Sequence, residues 1–430
     1  MKRLMIFILI SFVFLGVKEV SLAQDQAVFK AEEIPLTLDE AVAIALRDNR
    51  DVLLQVEDVK KAKAQISESQ ASLFPTLNFT GSRTYTTGYY AEDLAQTTTQ
   101  ATLKQYLYKG GEAINTIEQD QYKLKASEAL LDKIRLETVL NVEKAFYTLL
   151  LAGDFAHLNK AIVENTREHI KVIQARYKNG QASASDILSI QSSLSSTQEA
   201  YQDSLNQTEA AGVLLNNLLY LDETTRIRPD AEFTYEPMEI AYDEAFLKAM
   251  ATRPEIRQYE AETKVDKKAI EIAKADNRPN IYASWDYYSR SHTGTTTSKN
   301  WNDYNVVGLT FSWPIFDGWQ AKAKVEQAIV DLKETQLTKE KIIKDIALEL
   351  KESYLSLKNA IAKIEAIEKD LLVYQDNLYT LGQKYKQGQA SSLDKDDAEL
   401  KYKVSLFNQK QAVYDYLIAK SSFDKATGGI

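Results

Sequence analysis

Apolar positions along this chain follow two different periods, and the two alternate in blocks. From Glu112 to Asn179, and again from Trp319 to Gln387, no proline interrupts the chain and the only glycines are Gly153 and Gly382. Ala, Leu, Lys, Glu and Gln dominate both stretches, and these are strong helix formers. Ile342, Ile346, Leu350, Tyr354, Leu357 and Ile361 keep to one helical stripe, so the predicted helix packs along its length. Each stretch is about 68 residues, on the order of 100 Å of helix at ~1.5 Å per residue. Returning helices are predicted over about Ser185–Leu221 and Leu393–Ala426, and all seven prolines lie outside these four helices. Antiparallel pairs of this length suggest a coiled-coil-like wall.

Four segments between the helices read differently. Leu77, Phe79, Gly81 and Tyr85 alternate with Asn78, Thr80, Ser82 and Thr84. Ile281, Ala283, Trp285 and Tyr287 alternate with Tyr282, Ser284 and Asp286, and Val307, Leu309, Phe311 and Trp313 with Val306, Gly308, Thr310 and Ser312. The fourth, around Thr99–Tyr108, alternates poorly. Period two with aromatic ends fits transmembrane barrel strands, although a soluble antiparallel sheet alternates in the same way. Tyr89, Tyr90, Tyr106, Tyr108, Tyr287, Tyr288, Trp301 and Trp313 cluster at the predicted strand ends, where an interfacial aromatic girdle would sit. Four strands cannot close a barrel around a useful lumen, since about 8 are needed merely to fill the interior with side chains. A duct of this kind requires several chains.

The pattern is written twice. Asp39-Glu40-Ala41 returns as Asp243-Glu244-Ala245 and Pro75 as Pro279, at an offset of 204. Further on the offset becomes 208: Tyr108-Lys109-Gly110 matches Phe316-Asp317-Gly318, and Tyr177-Lys178-Asn179-Gly180-Gln181-Ala182-Ser183 returns as Tyr385-Lys386-Gln387-Gly388-Gln389-Ala390-Ser391. Such a duplication predicts a first unit over 24–221, with a helix near Thr37–Ser72, strands near 75–108 and a long hairpin over 112–221. A linker over 222–242 leads to a second unit over 243–430, with a helical region near Asp243–Asp276 that Pro254 divides, strands near 279–316 and a hairpin over 319–427.

Composition narrows the reading. Lys2 and Arg3 precede an apolar run from Leu4 to Val17, and Ser21-Leu22-Ala23 offers a small-x-small site, which predicts a signal peptide over 1–23 with Gln24 as the mature start. A retained anchor is the alternative, but the run is shorter than the ~20 residues a spanning helix needs. The absence of cysteine excludes a disulfide framework, a thiolate metal site, a cysteine nucleophile and a cysteine-linked lipid. The full chain carries −9; the leader holds Lys2, Arg3 and Lys18 against Glu19, so the mature chain would carry −11. That balance argues against nucleic acid as a partner.

Candidate chemistry is sparse. His157, His169 and His292 form no metal-ligating spacing and read as surface residues. Lys109-Gly110-Gly111 is a strand–helix junction and not a phosphate loop, and no serine sits in a nucleophile elbow. The expectation is no enzyme, no cofactor and no metal. Ser183-x-x-Asp186 and Ser391-x-x-Asp394 have a capping-box spacing at a helix start. Gly180 and Gly388 end the preceding helices and are free to adopt positive φ.

On these residues the chain resembles the TolC family of outer-membrane efflux proteins, over about Leu36–Gly429. The most specific pieces are Tyr-Lys-x-Gly-Gln-Ala-Ser with a following Asp in both halves, and Pro-Ile-Phe-Asp-Gly at 314–318. The resemblance implies a homotrimer, mainly α with a transmembrane β part: a twelve-stranded β-barrel in outer-membrane lipid, continued by a long α-helical periplasmic tunnel. It implies a passive exit duct of a tripartite efflux or type I secretion system, with a periplasmic adaptor and an inner-membrane pump as partners. It also implies a periplasmic gate at Asp394, Asp397 and Tyr385, and adaptor docking at the hairpin tips around Gly180 and Gly388. The arginine of the family's gate network is replaced by Ala390. Capping explains Asp394 as well as a gate does, and Asp397 reads equally as a solvated helix charge beside Lys395 and Asp396. A periplasmic coiled-coil scaffold that never enters the membrane is the rival reading; it has no need of paired lipid-facing aromatics in its strand segments.

Overall fold

The computed structural model describes residues 33–88, 94–238, 241–293 and 300–429. The leader, Tyr89, Tyr90 and the side chain of His292 lie outside the described residues. In chain order the first half holds β1 (Glu33–Leu36), α1 (Leu38–Asp48), α2 (Arg50–Ala71), β2 (Thr76–Thr86), β3 (Leu94–Lys109), α3 (Glu112–Lys178) and α4 (Ala184–Leu219). The second holds β4 (Arg226–Pro229), α5 (Tyr242–Thr252), α6 (Pro254–Ala275), β5 (Asn280–Thr293), β6 (Asn300–Ser312), α7 (Gln320–Lys386) and α8 (Ser392–Ala426).

The long helices are continuous, and α3 and α7 each run 67 residues. Two elements depart from expectation. The opening helical region of the first half breaks at Asn49, whose backbone is extended and whose carboxamide oxygen accepts from the N–H of Asp51 at 2.9 Å. Asn is among the best N-caps, so the break has a local cause. The second half breaks at the equivalent Arg253, before Pro254 at the first helical position. The stretch expected as linker also carries β4, which pairs in parallel with β1 through Glu33–Arg226 and Leu36–Pro229. Four residues are too few to show a period.

β2, β3, β5 and β6 form one four-stranded sheet in that order, all neighbours antiparallel. The poorly alternating fourth segment is β3, which at 16 residues is longer than its pattern suggests. The register sorts the sheet into two faces. Leu77, Leu103, Trp285 and Val307 lie across from one another, as do Ile281 and Phe311. That apolar face is open: Leu77 is 69% exposed, Phe79 75% and Val307 80%. The other face carries Asn78, Thr102 and Asp286 in one row and Thr80, Gln100, Tyr288 and Tyr304 in the next. There Asp286 accepts from the Thr102 hydroxyl at 2.6 Å and from the Gln100 amide at 3.0 Å, and Tyr288 stacks on Tyr304 at 5.0 Å.

This register corrects the aromatic girdle. A bulge between Tyr106 and Tyr108 puts the two on opposite faces. Tyr106 joins the polar face, 5.6 Å from Tyr282, with the Lys104 ammonium 4.6 Å from its ring centroid. Tyr288 is also on the polar face, and Tyr287, paired with Ala101 and Asn305, sits midway along the wall and not at an end. Tyr108 and Trp313 remain at the helical end of the apolar face, where the Trp313 indole donates to the carbonyl of Asn277 at 3.2 Å. Trp301, opposite Ser291, remains at the far end.

Away from the sheet, each half builds its own core near the middle of its long helices. In the first, Val142, Phe146 and Leu149 of α3 meet Leu215 and Leu219 of α4 and Ala41 and Ala45 of α1. In the second, Leu350, Leu357 and Ile364 of α7 meet Val413, Tyr416 and Phe423 of α8 and Ala249 of α5. Val142 and Leu149 are the repeat equivalents of Leu350 and Leu357, so the duplicated sequence buries duplicated positions. Among the described residues no helix is long and apolar enough to cross a membrane.

Candidate functional site

The ends of the two hairpins farthest from the sheet hold the predicted gate and docking residues. Gly180 and Gly388 close the helix-ending turns with φ of 69° and 73°, a left-handed geometry that a side chain resists. Their N–H groups donate to the carbonyls of Tyr177 (2.9 Å) and Tyr385 (3.0 Å). Each returning helix then starts with a reciprocal cap. The Ser391 N–H and hydroxyl donate to Oδ2 of Asp394 at 2.8 and 2.7 Å, and the Asp394 N–H returns to Ser391 Oγ at 3.2 Å. Ser183 and Asp186 repeat the arrangement in the first half. The Ser391 hydroxyl and N–H, and then the Arg176 guanidinium across on α3, hold the Asp394 carboxyl below its ordinary pKa.

One turn into α8, Asp397 has a partner that its sequence context does not reveal. Its Oδ1 lies 3.1 Å from Nε2 of His169 on α3, and the two side chains are 52% and 21% exposed. The pair is close but not aligned as a hydrogen bond. His169 is therefore not the free surface residue expected from its isolation; it sits in the seam between the two hairpins. Tyr385 is 44% exposed, with the Lys395 ammonium 5.8 Å from its ring centroid. Next to these residues Glu164 and Glu168 of α3 face Asp396 and Glu399 of α8 across a cleft that also holds Lys403. Among the described residues no group has the makings of a metal site. His169 and Arg176 were invisible to periodicity because they act across the seam, on residues more than 200 positions away.

Higher up, the α3–α8 seam is held by Lys410 and Asp154 at 2.7 Å, Phe155 and Phe407 at 5.2 Å, and the hydroxyls of Thr148 and Tyr414 at 3.1 Å. It then reaches two carboxyls that burial pushes upward in pKa: Glu143 of α3, raised further by Asp424, and Asp424 of α8, where Lys420 and Lys248 oppose the rise. A carboxyl raised in the folded state stabilises the fold below its unfolded pKa, and that contribution is lost as pH rises through the folded value. At pH 7 both groups therefore weigh against the fold. Asp424→Asn is expected to raise the thermal midpoint at pH 7 by a few degrees, with the difference shrinking as pH is lowered below the ordinary carboxylate range. Calorimetry at the two pH values checks it; an equal shift at both would remove ionisation as the cause.

Comparison with known proteins agrees with this architecture. Residues 41–219 and 247–429 each match the family described as outer membrane efflux protein. The chain is 23% identical over 385 residues to the probable outer membrane lipoprotein SilC of Salmonella typhimurium, covering 86% of this chain and 80% of that protein. It is 22% identical over 401 residues to the outer membrane protein TolC of Escherichia coli, covering 88% and 80%. Among solved structures, the Campylobacter jejuni CmeC outer membrane channel superposes with a TM-score of 0.76 at 18% identity, over 91% of this chain and 85% of that one. Crystal structures of CusC superpose at 0.73 and 18% identity, over 95% and 96%.

Proposed function

This chain belongs to the outer membrane efflux protein family, and from that premise we propose that it is a passive exit duct, three copies of which close one barrel in the outer membrane. An inner-membrane pump delivers the substrate through a periplasmic adaptor, and this protein supplies the sealed path. The observation that carries the reading is the four-stranded sheet with an exposed apolar face and two open edges, set at the end of helices about 100 Å long. Open edges in lipid leave backbone groups unpaired, so the sheet must close, and one chain has too few strands to do so. Twelve strands from three chains satisfy both demands. A periplasmic scaffold would leave Leu77, Phe79, Val307, Leu309 and Phe311 in water as one contiguous apolar wall, which a soluble protein avoids.

At the other end of the duct, Asp394, Asp397 and Tyr385 form the gate, and the turns at Gly180 and Gly388 receive the adaptor. The His169–Asp397 contact and the Arg176 charge beside Asp394 support a first-half hairpin that holds the second-half hairpin, with the cation on α3 doing what Ala390 cannot. The test is fractionation of the expressed protein with electrophoresis of unheated and boiled samples. The expected result is recovery with outer membranes as an oligomer of three copies that dissociates on heating. Recovery as a monomer in the soluble periplasmic fraction would overturn the reading.

A further inference from the structure

Trp319 is the anomaly at the sheet–helix junction. It holds φ 70°, a left-handed backbone that a bulky side chain resists, and its indole is 68% exposed. The equivalent residue of the first half, at the 208 offset, is Gly111, with φ 86° and no such penalty. The second half thus carries a tryptophan where the duplicated unit is satisfied with glycine.

The first-half junction shows what that position touches. Gly110 and Gly111 pack on the end of α6: a Cβ on Gly110 would lie 2.7 Å from the carbonyl oxygen of Ala275, and one on Gly111 would lie 3.5 Å from the guanidinium of Arg278. Arg278 itself donates to the carbonyl of Gly110 at 2.9 Å. By the 204 offset, the counterpart of the α6 end is the α2 end, with Ala71 for Ala275 and Phe74 for Arg278. The two turns have the same geometry, the N–H of Phe74 donating to Ala71 and that of Arg278 to Ala275, both at 3.0 Å. Yet within one chain nothing lies within 4 Å of the Cβ position of Gly318, and Phe74 is 67% exposed.

The strands explain the vacancy. β3 pairs with β5 down to Lys109 opposite Asn280. Translated by the two offsets, that pairing becomes the open edge of β6 against the open edge of β2, with Asp317 opposite Thr76. In one chain these edges lie at opposite ends of the sheet, so in a multichain barrel they would meet the edges of neighbouring copies. We infer that Trp319 of each protomer packs on Phe74 of the next, an aromatic clasp that repeats around the ring where sheet meets helices. Where the contact within a chain uses Arg278 over two glycines, the contact between chains replaces both sides with aromatic rings. Aromatic anchors of this kind carry much of the energy of protein interfaces. Phe316, in edge contact with Trp319 at 5.9 Å, braces the ring from below.

The inference rests on the multichain barrel proposed above, and the test separates the two. The chain contains no cysteine, so Phe74→Cys and Trp319→Cys can be introduced together and treated with a short bifunctional thiol reagent. Denaturing electrophoresis should show covalent dimers and trimers from the double variant, none from either single variant, and dimers when the two single variants are co-expressed. Light scattering reports the oligomer independently. A trimer that gives no covalent ladder, or a link confined to single chains, overturns the clasp and leaves the trimer standing; a monomer overturns both. Trp319→Gly supplies a second readout, because it relieves the left-handed backbone. It should lower the temperature at which the trimer dissociates by several degrees, and an unchanged or raised temperature overturns the clasp.

Discussion

Leu350→Pro is expected to abolish both the assembled trimer and export, an effect out of proportion to one residue in 430. Leu350 is fully buried near the middle of α7, against α8 in the core of the second half. Proline there removes the N–H of one helical hydrogen bond and drives its ring into the preceding turn, costing about 3 kcal/mol or more. The kink is worse than that figure implies. A bend near the middle of an element about 100 Å long displaces its far end, and with it the hairpin tip, by many ångströms. Leu350→Ala separates the two effects: it keeps the helix and leaves a cavity, costing ~2–5 kcal/mol. That variant should assemble with a lowered thermal midpoint and normal export, whereas the proline variant should not assemble. Trimer yield from outer membranes, with export measured beside it, checks the pair. Normal yield and export in Leu350→Pro would mean that the continuous helix is not what holds the wall.

The reason that prediction was already available from sequence is that long elements announce themselves by period. Some 68 residues without proline, with Ile346, Leu350 and Leu357 on one stripe, leave few alternatives to a buried helix face. Duplication was legible for the same reason, since Gly180 and Gly388 with their flanking residues recur at one offset. What stayed hidden is short or nonlocal. β1 and β4 have four residues each and pair across the length of the first half, so no window contains the evidence for them. The bulge that turns Tyr108 onto the apolar face, away from Tyr106, depends on backbone geometry at Leu107, which an alternation pattern reads straight through. The residues of the proposed gate divide along the same line. Asp394 was visible as a helix start because its partner Ser391 lies three residues away, whereas the His169 beside Asp397 comes from the other half of the chain. Local hydrogen bonding is written locally; a seam between repeats is written only in the fold.

That division sets the outcome of removing the two carboxylates of the proposed gate, which we expect to convert a cation-selective duct into one with little preference. In a trimer Asp394 and Asp397 bring six carboxylates to one end of the tunnel, and a ring of acidic side chains is the usual way a pore favours cations. The two positions should not contribute in the same way. Asp394 is tied to its own helix start, so Asp394→Ala loses one half of a reciprocal cap as well as a charge. Asp397 caps nothing; Asp397→Ala should alter selectivity and divalent block with little change in stability, leaving His169 without its partner. Acid should separate them too. The Asp394 carboxyl is held below its ordinary pKa by Ser391 and then Arg176. Its contribution is present above the unfolded pKa and lost only as pH falls through the lower folded value. Cation preference in Asp397→Ala, which depends on Asp394, should therefore persist to a lower pH than an ordinary carboxylate allows. Reversal potentials of the purified trimer in planar bilayers, under a salt gradient and with divalent ions added to the helical side, measure all of this. If the double variant kept the parent's selectivity and divalent block, both aspartates would be ordinary solvated charges. The constriction would then be sought at Tyr385 and in the acidic cleft formed by Glu164, Glu168, Asp396 and Glu399.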